Sequence, residues 1–180
     1  NSQGTDADGK LSFTLVHNQT AVLYVPKNAK LSVAETQDAR YETQYRIGTA
    51  EDSLGTSTSG LTATLNYVDE DKFILFINKP MIRVTLKKIG VDSISGDTVD
   101  SALAGAVLTV YKDDHHTTVA SGKNSGGTIV PLSGLTSNSS GIIFDGSLEP
   151  GTYYIHETHA PDGYNLMVDD IRLTVSISDG

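Results

Sequence analysis

The sequence predicts an all-β protein, and three observations carry that prediction. Seventeen glycines and five prolines, interleaved with many Ser, Thr, Asn and Asp residues, cut the 180-residue chain into short pieces. Within the pieces, apolar residues tend to recur at every second position, the period of a strand with one buried face. No stretch carries the three-to-four spacing of an amphipathic helix.

Taken in order, the first strand-like runs are residues 10–16, where Leu11, Phe13 and Leu15 alternate with polar neighbours, and 20–25, an apolar run ending at Pro26. Residues 30–36 put Leu31 and Val33 on one face, and runs at 41–47 and 60–68 follow. Residues 72–78 are apolar on both faces, and 82–89 align Val84 with Leu86. The last runs are 104–111, 141–144, 152–158 with Tyr153 and Ile155 on one face, and 170–178 with Ile171, Leu173, Val175 and Ile177 on one face. Short strands with turn residues between them suit antiparallel sandwiches. Lys79 and Pro80 interrupt two of these runs, which predicts two domains, residues 1–80 and 81–180. A faint internal repeat supports the division: a proline-marked turn feeds an alternating strand ending in Glu-Thr at Glu35-Thr36 and again at Glu157-Thr158.

Composition narrows the function classes. Thirteen basic against 22 acidic side chains leave a formal charge of -9, which repels phosphate backbones and disfavours nucleic-acid binding. With no cysteine, disulfides, thiolate nucleophiles and cysteine zinc sites are excluded. The longest apolar runs, such as residues 73–77, are far short of the roughly 20 residues that cross a bilayer, so no membrane insertion is expected in this segment. The Ser/Gly-rich stretches 53–60 and 121–140 lack a phosphate-loop lysine and read as exposed loops. Asp69-Glu70-Asp71 reads as a hairpin tip without calcium-loop spacing. His115 and His116 read as part of a solvated turn, His156 as an outward strand residue and His159 as a turn residue, with no metal or cofactor implied. No serine stands in a nucleophile-elbow pattern.

Strand parity singles out four polar residues on apolar faces. Glu157 shares the face of Tyr153 and Ile155, and Glu35 the face of Leu31 and Val33. Lys88 follows Val84 and Leu86 inward, whereas Lys87 points out. Asn78 continues the face of Ile74 and Phe76, on a strand apolar on both sides. An inward charge is costly unless neutralised or paired. One reading is that these side chains reach water at strand ends or form simple ion pairs. The other is a self-made amide cross-link. Burial disfavours the charged form of an amine and of a carboxylic acid alike, so a neutral amine can attack a nearby Asn or Asp carbonyl while the acid shuttles protons. Folding supplies the proximity that makes a poor electrophile react.

Two stretches connect these residues to a known family. Leu103 to Tyr111, L-A-G-A-V-L-T-V-Y, and Gly151 to Tyr164, G-T-Y-Y-I-H-E-T-H-A-P-D-G-Y, follow a strand that ends in Lys88. Together they resemble the CnaB-type (SpaA-like) domain of Gram-positive surface adhesins and pilins, over residues 83–180. The resemblance implies an Ig-like β-sandwich in which Lys88 bonds to an Asn or Asp of the last strand, with Glu157 as proton shuttle. The family has one more strand after the run at 171–177, so either that strand lies outside this segment or Asp179 stands in as acceptor; the first is favoured.

Residues 1–80 resemble the latter part of a Gram-positive major-pilin domain, on D-G-K-L-S-F-T-L at 8–15, V-A-E-T at 33–36 and F-I-N-K at 76–79. That resemblance implies Glu35 as shuttle and Asn78 as acceptor for a lysine on an upstream strand, with Lys10 a poor substitute. Each of the two domains is thus expected to lack a terminal strand here. Tyr24-Val25-Pro26-Lys27-Asn28 resembles the pilin motif whose lysine a sortase uses for polymerisation, but the inserted Val25 and the proline favour an ordinary turn.

The implied function is a structural segment of a Gram-positive pilus or cell-surface adhesin, extracellular and at the cell wall, stabilised by autocatalytic Lys-Asn or Lys-Asp isopeptide bonds. It implies no enzyme activity beyond single-turnover self-cross-linking. Other pilin subunits joined by a sortase are the implied partners. The alternative is an adhesin tip module that binds a host matrix protein or glycan.

Overall fold

The computed structural model describes residues 5–177. All regular structure among them is β, in fifteen strands. Five precede Pro80 or end at it: β1 (Ala29–Ala34), β2 (Tyr41–Gly48), β3 (Thr58–Ser59), β4 (Thr62–Val68) and β5 (Phe73–Pro80). After Met81 come β6 (Ile82–Lys87), β7 (Gly90–Val91), β8 (Thr98–Asp100), β9 (Val107–Tyr111), β10 (Ser121–Asn124), β11 (Ile129–Pro131), β12 (Leu135–Thr136), β13 (Ile142–Leu148), β14 (Gly151–His159) and β15 (Ile171–Val175).

The first five strands form two small sheets, β1-β4 and β3-β2-β5. Residues 69–72 join β4 to β5 across these sheets, so the acidic run is a crossover rather than the expected hairpin tip, with the Lys72 ammonium 2.6 Å from the Glu70 carboxylate. Residues 10–16 and 20–25 form no strand, and Phe13, Leu15, Val16 and Val22 are exposed. Alternation alone does not make a strand: its N–H and C=O groups need a neighbouring strand, and none pairs with these runs among the described residues.

The remaining strands build a sandwich of two four-stranded antiparallel sheets, β11-β10-β13-β6 and β12-β9-β14-β15, with the β7-β8 hairpin to one side. Strand β6 occupies an edge of the first sheet, and β14 is paired on both sides in the second. The core joins the facing sides. Leu108 and Val110 of β9, Phe144 and Leu148 of β13, Tyr153 and Ile155 of β14 and Val175 of β15 pack with Ala120 and Leu132. Leu132, Leu148 and Val110 are fully excluded from water, each stabilising the fold by about 1.5–3 kcal/mol.

Leu132 exposes an error in the sequence reading. Residues 121–140 are not an exposed loop: they hold β10, β11 and β12. Gly122 sits so close to Leu148 and Phe144 that a Cβ there would lie 2.9 Å from each, so this glycine permits tight packing rather than marking a flexible linker.

The chain passes from one sheet to the other at Glu149-Pro150, between β13 and β14. The buried Tyr153 holds that corner, its hydroxyl donating to the Glu149 carbonyl oxygen at 2.7 Å. This explains the tyrosine of the G-T-Y stretch: its ring fills the core and its polar end satisfies the turn. Tyr164 closes the same motif differently. Its ring lies against Gly90, where a Cβ would come within 2.6 Å of the phenol oxygen, and its hydroxyl donates to Asp100 of β8. The A-P-D-G-Y turn is thereby fastened to the β7-β8 hairpin.

Candidate functional site

Parity along β6 and β14 holds in three dimensions. Burial alternates from Ile82 to Lys87, with Val84 and Leu86 partly buried and Lys87 exposed; Lys88 continues the inward set. In β14, Tyr153, Ile155 and Glu157 are all buried. Lys88 is held by its main chain, donating to the Gly141 carbonyl at 2.8 Å and accepting from the Leu103 N–H at 3.1 Å. Gly141 has φ +74, and a Cβ there would lie 2.5 Å from the Lys88 carbonyl oxygen, so only glycine fits this support without strain.

From opposite sheets the two side chains meet. The Lys88 Nζ lies 2.7 Å from Glu157 Oε1, with side-chain exposures of 13% and 0%. The ammonium is the charged partner of this buried Oε1, which meets no other donor among the described residues. Glu157 Oε2 accepts from the Met167 N–H at 2.9 Å. A β-bulge between Glu157 and His159 breaks the β9 register beside the carboxyl group.

A second glutamate makes a related contact near β1. Glu35, just past Ala34, accepts at Oε1 from Asn78 Nδ2 at 2.6 Å, and the Thr43 hydroxyl donates to Asn78 Oδ1 at 2.6 Å. Thr43 and Asn78 are register partners on β2 and β5, whereas Glu35 comes from the β1-β4 side. Glu35 Oε2 is buried without a donor among the described residues. Asn78 itself is exposed rather than inward as parity suggested, because β5 forms a sheet edge and does not alternate in burial. The buried Thr43, which orients the amide, was missed by sequence reading; its place opposite Asn78 depends on a register that parity cannot supply.

The other candidates stand apart. Lys27 is exposed in a turn closed by the Ala29 N–H on the Pro26 carbonyl at 3.1 Å, with Asn28 left-handed at φ 65. Lys10 is exposed in a turn, its N–H held by the Asp6 carboxylate at 2.8 Å. Asp179 lies outside the described residues.

The histidines depart from expectation. His115 is exposed, but His116 is partly buried and stacks on Tyr111 with ring centroids 4.6 Å apart. His116 Nε2 lies 2.5 Å from Asp170 Oδ2, and His156 Nδ1 lies 2.9 Å from Asp170 Oδ1. The hydrogen bond from His116, seconded by that from His156, holds the Asp170 carboxyl below its ordinary range against the effect of burial. The outward parity of His156 was legible, but the turn between β14 and β15 hid that Asp170 stands across from it.

Comparison with curated protein sequences finds no match. Among solved structures, the chain is similar to the group B streptococcus pilus 2b backbone protein at 16% identity, covering 83% of this chain and 82% of that one, with a TM-score of 0.40. It is similar to GBS52, the minor pilin of Streptococcus agalactiae, at 16% identity, with 83% and 91% covered and a TM-score of 0.40. Similarity to the pilus backbone RrgB from Streptococcus pneumoniae is at 14% identity, with 83% and 58% covered and a TM-score of 0.33. The family described as SpaA, prealbumin-like fold domain, matches residues 83–180, more than half of the chain. That stretch holds the facing four-stranded sheets and both members of the Lys88–Glu157 pair, and the chain belongs to the SpaA prealbumin-like fold domain family.

Proposed function

We propose that this chain is a segment of a structural subunit of a Gram-positive pilus or cell-surface adhesin, displayed outside the cell, and that its chemistry is the formation of intramolecular isopeptide bonds. The observation that carries the reading is the buried Lys88–Glu157 pair, joining the two sheets at 2.7 Å, with Glu157 Oε1 faced by the lysine nitrogen and by no other donor among the described residues. A purely structural ion pair in a core gains little over apolar packing. A carboxyl group poised beside an amine gains a purpose if it moves protons.

In the reaction, the unprotonated lysine nitrogen attacks the side-chain carbonyl carbon of an Asn or Asp. The new C–N bond forms as the bond to the leaving group breaks. Glu157 takes the proton lost by the amine and delivers it to the departing ammonia, or to water when the acceptor is Asp. By the family pattern, the acceptor of Lys88 comes from a strand following β15, and β6 is an edge strand that could pair with it. In residues 1–80, proposed as part of a separate pilin-like domain, Glu35 would serve Asn78 in the same way; its contact with the Asn78 amide and its buried Oε2, which meets no donor among the described residues, support that role. Sortase-joined pilin subunits are the proposed partners.

Intact-mass measurement of the natively expressed full-length polypeptide tests this. The expected result is one ammonia or one water lost per bond, with the loss assigned to Lys88 abolished in Glu157→Ala. A folded, full-length protein with unmodified mass refutes the cross-link.

A further inference from the structure

Outside the Lys88–Glu157 pair, the structure brings together His116, His156 and Asp170 from three segments. We propose that they form a binding site for a zinc-like divalent transition-metal cation, with two imidazole nitrogens and one carboxylate oxygen as protein ligands.

The donor atoms already converge: one from each residue, all within 4.8 Å of one another. A tetrahedral zinc with bonds of about 2.0–2.2 Å needs its ligand atoms roughly 3.4 Å apart. Small rotations about the terminal side-chain torsions, which have broad minima, close that difference. A mixed nitrogen and oxygen donor set suits zinc, nickel or copper, whereas calcium and magnesium prefer oxygen alone.

The scaffold fixes each donor. The β14-β15 register pairs Ile155 with Ile171, so His156 and Asp170 stand opposite each other at the next position on the outer face of the sheet. His116 reaches them from the loop between β9 and β10. Asp113 shapes that loop by accepting from the N–H groups of His115, Thr117 and Thr118 at 3.2, 3.0 and 2.8 Å. The left-handed backbone of His116, φ 58, turns its ring back over Tyr111. The recorded partners of the Asp170 carboxylate, among the described residues, are the two imidazoles rather than a lysine or arginine. The site therefore carries a carboxylate with no lysine or arginine salt-bridged to it among the described residues, flanked by two nitrogen ligands. Three protein ligands leave a fourth position open to water or to a group from another molecule. A bound cation would tie the β9-β10 loop to the edge strand β15.

Calorimetric titration of the untagged chain, stripped with chelator, with zinc chloride and separately with calcium chloride tests the site. One zinc per chain should bind, with calcium bound far more weakly. His156→Ala and Asp170→Asn should each weaken zinc binding by at least roughly a hundredfold, the upper loss seen when only an outer-shell partner is removed. His115→Ala, in the same loop but outside the cluster, should leave it unchanged. Because a variant could misfold, the wild-type chain supplies the second readout: zinc should shift the ring NMR signals of His116 and His156 and spare those of His17, His115 and His159. No saturable zinc uptake by the folded chain, uptake that survives both substitutions, or shifts confined to the other histidines overturns the proposal and leaves a plain His-Asp-His hydrogen-bond network.

Discussion

Replacing Lys88 by Met keeps most of the side-chain length and removes the charge that faces Glu157. At the 2.7 Å separation of the pair, the gross attraction at an effective dielectric constant of about 20 is about 6 kcal/mol. Desolvation of both groups cancels most of this, so the pair is worth little net against an apolar replacement. Its one-sided removal is another matter. Glu157 is 1% exposed and would be left as an uncompensated buried charge, at a cost of roughly 3–5 kcal/mol. Glu157→Leu strands the Lys88 ammonium instead; it is less buried, and the expected cost is nearer the lower end. The double variant Lys88→Met, Glu157→Leu removes both charges and should lose less than either single one, so the coupling should exceed about 2 kcal/mol. Urea denaturation followed by circular dichroism measures this on the polypeptide of residues 1–180, distinct from the full-length protein of the cross-link test, with each sample first checked for unmodified mass and with equal slopes across the series. Single losses below about 1 kcal/mol that simply add in the double variant would refute the buried ion pair.

Two further outcomes test the support of the site and the assignment of the core. Gly141→Ala should destabilise by more than the roughly 1–2 kcal/mol cost of a left-handed alanine, because its Cβ would lie 2.5 Å from the Lys88 carbonyl oxygen; Gly134→Ala, at φ +60 with nothing within 4 Å, should show that conformational cost alone by the same denaturation assay. Leu132→Ala should lose about 3 kcal/mol as a core truncation, whereas a residue in an exposed loop would change thermal or urea midpoints by no more than about 0.5 kcal/mol equivalent.

Much of the site was legible because strand alternation is local. A two-residue period needs only neighbouring residues, so Val84, Leu86 and Lys88, and Tyr153, Ile155 and Glu157, were assigned to inward faces before any pairing was known. The same reasoning failed at Asn78, where a sheet edge and an apolar run on both faces leave no clean alternation.

The sequence by itself determined the all-β class, through turn residues and alternating runs, and the inward direction of Lys88 and Glu157. Only the tertiary structure decided which runs become strands: the alternating 10–16 and the apolar 20–25 find no partner among the described residues, whereas 121–140 looks like a loop and contributes three strands and the fully buried Leu132. It alone set Lys88 against Glu157, Thr43 against Asn78, and His116 and His156 against Asp170. The physical reason is that strand pairing and sheet stacking are contacts between residues far apart in the chain, with a register no local pattern specifies.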